Sequence, residues 1–158
     1  MKIIVFSDSH GDYYHMDEVV KQDRPDALIH LGDGYLDFSK LKKCYPDMPA
    51  FCVRGNCDGN RRDVPLEQVV ELEGVRILMM HGHSRDVKMG DSRVIWAARE
   101  ALAQVALYGH THRATCEYHA GMWVMNPGTI GGVRYRPSYG VIHINDGDVV
   151  CYLRQLPY

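Results

Sequence analysis

The sequence predicts an α/β fold in which two β-sheets pack together with helices outside. Three observations predict it. Short apolar runs alternate with amphipathic segments in the first half, a hairpin opens the second half, and two further hairpins close the chain. With 158 residues the chain is read as one domain, 1–158. At that size about 68–70% of the unfolded surface is buried on folding, enough for a core without staples.

Each element has its own signal. Ile3 to Phe6 is a continuous apolar run, as in a strand buried on both faces. Residues 13–22 place Met16, Val19 and Val20 on one side of a helix, with Asp12 as cap and Pro25 as stop. Ala27 to Leu31 is a second buried strand, residues 36–45 a second helix stopped by Pro46, and Ala50 to Val53 a third strand. This order argues for a sheet with right-handed crossovers. Val69–Leu72 and Val75–Met80, joined at Glu73-Gly74, read as a hairpin. Residues 91–104 are the clearest helix: Val94, Ile95, Ala98, Leu102 and Val105 recur near helical period, and Asp91 or Ser92 caps its start. Val105 to Tyr108 is a short strand. Ala114–His119 with Met122–Met125, and Tyr139–Ile144 with Val149–Leu153, are hairpins around Ala120-Gly121 and Asn145–Asp148.

Composition narrows the function classes. The net charge of −2 argues against a broad nucleic-acid face. No apolar stretch reaches the ~18 residues of a membrane span. The cysteines Cys44, Cys52, Cys57, Cys116 and Cys151 are odd in number and form no CxxC pair, which excludes paired zinc knuckles and a thioredoxin motif. They fit a reducing compartment, and the N-terminal apolar run is too short for a signal peptide, so a cytoplasmic protein is expected. All but Cys57 lie in or beside apolar runs and are expected as buried small hydrophobes. Nine histidines in 158 residues ask for a chemical role.

Polar residues cluster where strands end: Asp8-Ser9-His10, Gly32-Asp33, Arg54-Gly55-Asn56-Cys57-Asp58, His81-Gly82-His83 and Gly109-His110-Thr111-His112. Ligand sites of open α/β sheets lie outside the carboxyl ends of strands. Asp8 and His10 are two apart, as are His110 and His112. In extended chain such residues point the same way, so each pair can reach one site. A mixed Asp, His and Asn set suits Mn, Fe, Zn, Co or Ni better than Mg or Ca.

In this order, DSH, GD, GNCD, HGH and GHTH resemble the calcineurin-like metallophosphoesterase superfamily. The short chain resembles its small phosphodiesterase branch, the YfcE-like group. The resemblance runs from Asp8 to Asn126-Pro127-Gly128-Thr129. It implies a four-layer αββα sandwich of two mixed sheets flanked by helices, and a dinuclear metal centre. One ion is then held by Asp8, His10, Asp33 and His112, the other by Asp33, Asn56, His81 and His110, with Asp33 bridging. Manganese is the first expectation, with iron, zinc, nickel or cobalt as alternatives. Two divalent ions against Asp8 and Asp33 leave a site of net +2, which attracts phosphate and acidifies a bridging water.

The implied activity is hydrolysis of a small phosphodiester by a metal-bridging hydroxide, with Asp33, Asn56 and His81 as the catalytic set. Asn56 and Cys57 are expected to contact substrate, and the backbone around them to add N–H donors. Many members carry a histidine where this chain has Cys57, and a thiol of ordinary pKa is a poor leaving-group acid. Asp37, Asp58 and His83 are the other candidate donors. The family often forms dimers or tetramers; here Trp96, Trp123 and the strand edges of 114–125 or 139–153 are candidate interfaces. The alternative function is a non-catalytic protein-binding scaffold, as in the related retromer subunit. A scaffold tends to lose its metal-binding side chains, whereas all seven are present.

The remaining motifs have plainer readings. His30 is expected as a hydrogen-bonded core residue, and His15, His119 and His143 as structural or exposed. Arg54 either faces phosphate or forms an ion pair. Arg134 and Arg136 are read as loop surface ahead of substrate contacts.

Overall fold

Sidedness along each strand decides the layering. The computed structural model describes residues 1–132 and 134–157. Strands β1 (Lys2–Phe6), β2 (Ala27–His30) and β3 (Ala50–Cys52) alternate with helices α1 (Tyr13–Asp23) and α2 (Tyr35–Cys44). There follow β4 (Glu67–Leu72), β5 (Val75–Met80), α3 (Ser92–Glu100), β6 (Val105–Leu107), β7 (Thr115–His119), β8 (Met122–Asn126), β9 (Ser138–Asn145) and β10 (Asp148–Gln155). Two short 3₁₀ turns, His83–Arg85 and Val87–Met89, precede α3 and carry no apolar period that would announce them.

In β1, Ile3 and Val5 point one way into a core shared with Ile142 of the neighbouring β9 and with Ile77, Met79, Leu107 and Met125 of the other sheet. Ile4 and Phe6 point the other way, onto Met16 and Val20 of α1 and Phe38 and Leu41 of α2. In β5 the same alternation sends Leu78 and Met80 outward against Val94 and Ala98 of α3. The layers are therefore helices, sheet, sheet, helix: the four-layer αββα sandwich. Strands buried on both faces need apolar residues at every position, which is why the runs are continuous.

Both five-stranded sheets are mixed, with orders β10-β9-β1-β2-β3 and β4-β5-β6-β8-β7. β1, β2 and β3 are mutually parallel, as are β5, β6 and β8. Their carboxyl ends gather at one rim of the sandwich. The last hairpin returns to the first sheet, where β9 pairs antiparallel with β1.

Two expectations need correction. The third helix ends at Glu100, not 104. The Ala103 N–H reaches the Ala98 carbonyl at 2.9 Å and the Leu102 N–H that of Arg99 at 3.0 Å, the two bonds of a Schellman stop. Leu102 holds its left-handed position, φ 52°, where glycine is usual, so no residue signals the end. Leu102 is thus 77% exposed, and Val105 belongs to β6. Of the cysteines expected inside, only Cys151 is buried; Cys44, in the last turn of α2, is exposed with its thiol 3.3 Å from the Tyr13 hydroxyl.

Trp96 stands on the surface of α3, whereas the Trp123 indole N–H donates to the Val149 carbonyl between the two hairpins. Among the described residues no helix is long and apolar enough to cross a membrane.

Candidate metal centre

The loops after β1 and β2 are tied to each other before they carry any chemistry. The Asp8 N–H donates to Gly32 and the His10 N–H to Asp33, at 3.0 and 3.1 Å. Beyond β3, the Asp58 carboxylate accepts four backbone N–H groups, from Asp33, Gly34, Tyr35 and Gly55, at 2.7–2.9 Å. It clamps the Asp33 loop and the start of α2 to the loop after β3. Burial raises its pKa, but the four donors outweigh that and keep it ionised below the usual carboxylate range. Gly55 is required here, because a Cβ on it would lie 2.1 Å from Asp33 Oδ1.

The second sheet is joined on. His81 Nδ1 lies 2.9 Å from the Leu31 carbonyl, and the Gly109 N–H donates to the His81 carbonyl at 3.0 Å. The His110 N–H reaches Asp8 Oδ2 at 3.1 Å. The Asn126–Thr129 turn closes the rim. Asn126 Nδ2 donates to the Gly109 carbonyl and to Thr111 Oγ1, and Thr129 Oγ1 to the Asp8 carbonyl.

The structure brings all seven sequence-predicted candidates to this rim, in two sets. In the first, His112 Nε2 is 3.0 Å from Asp8 Oδ1 and 3.3 Å from His10 Nε2, and His10 Nε2 is 3.7 Å from Asp8 Oδ1. In the second, His81 Nε2 is 3.1 Å from Asn56 Oδ1, 3.1 Å from His110 Nδ1 and 3.4 Å from Asp33 Oδ2. Asp33 also lies within 4.8 Å of His10 and the Cys57 thiol, which places it between the sets.

The route to this convergence is not the extended chain inferred from spacing. Asp8, His10, Asp33, His110 and His112 all have left-handed backbone, with φ between 45° and 67°. Such conformations cost about 1–3 kcal/mol each for residues other than glycine, and persist where surrounding structure enforces them. The turns also separate the last pair: His110 joins His81, and His112 joins Asp8.

The donor chemistry fits a cation. Asp8 Oδ1 is fully buried and makes no well-aligned hydrogen bond, although His112 Nε2 stands 3.0 Å away. The contact of His81 Nδ1 with a carbonyl puts its proton there, so the bare Nε2 faces two oxygen acceptors, Asn56 Oδ1 and Asp33 Oδ2, and the His110 ring nitrogen. Acceptors gathered around acceptors are reconciled by a proton or a metal ion. Without a metal, burial opposes a charged His81, but Asp33 and Asp8 prevail and its pKa is raised. A divalent ion held at His81 Nε2 would take that proton's place. Burial also raises Asp8, yet its His112 and His81 neighbours prevail and hold it below the usual range.

Nearby residues sort into supports. His30 is buried, with Nε2 3.3 Å from Ser9 Oγ and Nδ1 accepting the Gly32 N–H; burial pushes its pKa down to about 4. Asp37 accepts from Ser9 Oγ and the Gly11 N–H. Arg54 forms no ion pair among the described residues; its guanidinium donates to the Arg61 carbonyl at 2.8 Å. Arg136 donates to the Leu156 carbonyl. The His83 ring lies 5.4 Å from that of His81. The Cys57 N–H donates to Asp33 Oδ1 at 2.7 Å, so this donor holds the carboxylate in place. Burial and the Asp33 contact push the Cys57 thiol up to about 11. Ser7, whose hydroxyl donates to Asp8 Oδ2, has no sequence signal; Asp58 is visible as the last letter of GNCD.

Residues 1–147 match the family model described as the calcineurin-like phosphoesterase superfamily domain. The chain belongs to the calcineurin-like phosphoesterase superfamily. Members of the family depend on metal, and the two donor sets described above are candidates for holding it. Among its relatives, the Bacillus subtilis protein named probable metallophosphoesterase YsnB is 32% identical over 98% of this chain and 92% of its own length. A phosphodiesterase of Methanocaldococcus jannaschii is 27% identical over 90% of this chain and 92% of its own. The crystal structure of Vps29 from Chaetomium thermophilum superposes with a TM-score of 0.84 at 20% identity, covering 99% of this chain and 88% of that one; it shows the shared calcineurin-like fold.

Proposed function

We propose that this chain is a dinuclear-metal phosphodiesterase that hydrolyses a small soluble phosphodiester. The position of Asp33 between two separate donor sets carries the proposal. Asp8, His10, Asp33 and His112 would hold one ion, and Asp33, Asn56, His81 and His110 the other, with manganese the first expectation. Bound there, two such ions supply positive charge for the phosphate and a nucleophilic water at neutral pH.

The chain's own residues then have separable roles. Asp8 and Asp33 fix the site's charge. The Leu31 carbonyl holds His81 in the tautomer that presents a bare Nε2. Asn56 stands at the exposed edge, where its amide contacts the phosphate. The exposed Cys57 thiol faces the ester arm without acting as an efficient acid, so good leaving groups are favoured. Asp58 is no proton donor either, because four N–H groups hold its carboxylate ionised.

The fold is equally compatible with a protein-binding scaffold. The complete donor set favours hydrolysis. The test is turnover of bis(p-nitrophenyl) phosphate by manganese-loaded protein. Metal-dependent release of nitrophenolate that Asp33→Asn abolishes is expected; a metal-loaded protein without turnover of this activated diester would contradict the proposal.

A further inference from the structure

Two cavities flank the proposed metal centre, and their charges differ. One, of about 260 Å³, opens beside His10, Asp33 and Cys57 and is walled by Tyr35, Leu36 and Arg61. Arg61 is stacked 4.2 Å over the Tyr35 ring, and Asp37 and Asp58 also line this cavity. The other, of about 570 Å³, opens beside Thr111, the residue between His110 and His112. Lys88, Arg113, Tyr108 and Tyr135 line it, and among the described residues no carboxylate does. Lys88 has no ion pair among the described residues. Among the described residues the Arg113 guanidinium meets only the Tyr135 hydroxyl, 3.4 Å from its Nε. Lys88 and Arg113 thus give this exposed concave wall a positive charge in a chain of net −2.

A phosphodiester seated at the rim must send its two ester arms in different directions. We infer that the Lys88–Arg113 cavity receives an arm carrying a second anionic group, a phosphate or a carboxylate, while the Tyr35–Arg61 side receives an uncharged arm. This rests on the hydrolase reading above and adds a substrate class to it: diesters with one anion-tipped arm. Thr111, whose hydroxyl is fixed by Asn126 at 2.9 Å, lines the cavity and stands between His110 and His112 in the chain, which ties the cavity to the rim. Tyr108 and Tyr135 supply aromatic walls for the arm's carbon skeleton, and Arg113 offers a fork suited to phosphate or carboxylate. In the reaction, water oxygen bonds to phosphorus and the ester bond to the uncharged arm breaks. That arm leaves as its alcohol or phenolate, and the anion-tipped monoester remains in the cationic cavity.

The experiment compares p-nitrophenyl propyl phosphate with the same diester bearing a carboxylate or a phosphate at the end of the propyl arm. With manganese-loaded protein at low salt, kcat/KM for the anion-tipped diesters should exceed that for the plain one by about tenfold or more, each tenfold being ~1.4 kcal/mol. The double variant Lys88→Gln/Arg113→Gln should bring that ratio close to one. The phosphate and carboxylate arms identify which anion is taken. A ratio near one in the wild type, or one unchanged in the variant, would overturn the inference. Calorimetric binding of the anion-tipped diesters separates this from failure of the hydrolase reading. If no diester is turned over but binding weakens about tenfold in the folded double variant, the cavity stands and the hydrolase reading falls. Equal binding by both proteins overturns the cavity assignment.

Discussion

The Thr129 hydroxyl donates to the backbone carbonyl of Asp8 at 2.7 Å, across 121 positions of sequence. This bond, with the Gly131 N–H on the same carbonyl at 3.3 Å, holds Asp8 in a left-handed backbone that a free aspartate avoids. Thr129→Val removes the hydroxyl at nearly constant shape. It should cost about 1 kcal/mol of stability. It should also weaken manganese binding by about tenfold or more, the usual scale for residues that position ligands. Urea unfolding and a metal titration check the two effects, and unchanged affinity would count against the positioning role.

Gly109 is one of the tightest packing points of the rim. A Cβ there would lie 2.0 Å from Ser7 Oγ and 2.9 Å from Asp8 Oδ2. Gly109→Ala should push both side chains aside, removing manganese binding while circular dichroism still reports the same secondary structure. Wild-type affinity in this variant would show that the rim yields easily.

Asp23 gives a pH-dependent test away from the site. Its carboxylate accepts from Lys2, Tyr139 and Arg154 at 2.9, 2.7 and 2.6 Å. Burial raises its pKa, but these three partners outweigh burial and the net shift is downward. A depressed folded pKa stabilises the fold above the unfolded value of ~3.9, and that stability is lost as pH falls through the folded value. Asp23→Asn should therefore cost about 1–3 kcal/mol near pH 7. The gap to wild type should close as the pH is lowered below about 4. Denaturant midpoints over that range measure it, and a gap independent of pH would contradict the assignment.

Much of this was legible in the residues. The runs at Ile3–Phe6, Ala27–Leu31 and Val75–Met80 appear as doubly buried strands because both faces of each sheet are covered. All seven rim candidates were nameable, since each follows a strand. What was not legible depends on contacts distant in sequence or on backbone that side chains do not announce. The stop at Leu102 is an example, because a leucine holds a position where glycine is the usual sign. The aim of His110 and His112 into different sets is another: left-handed turns, invisible in a two-residue spacing, decide it. Nothing in the sequence marks Ser7, whose partner Asp8 is buried beneath loops from both sheets.

Cys57 tests the chemistry. Without an efficient acid, turnover should depend steeply on leaving-group pKa across a series of aryl diesters. A correctly placed general acid is worth about 10²–10⁴-fold, so Cys57→His should help the poorest leaving groups most. A flat dependence in the wild type without a pre-steady-state burst would mean that another residue donates the proton, leaving His83 and Asp37 as candidates.

The central claim is that Asp33 joins two donor sets into one two-ion site, and metal stoichiometry tests it most directly. Elemental analysis after equilibration with manganese should give about two ions per wild-type chain. Asp33→Asn should lose most of both, because its carboxylate serves each set, whereas His10→Ala should keep the ion beside His81. One ion or none in the wild type, or two ions in Asp33→Asn, would contradict the account.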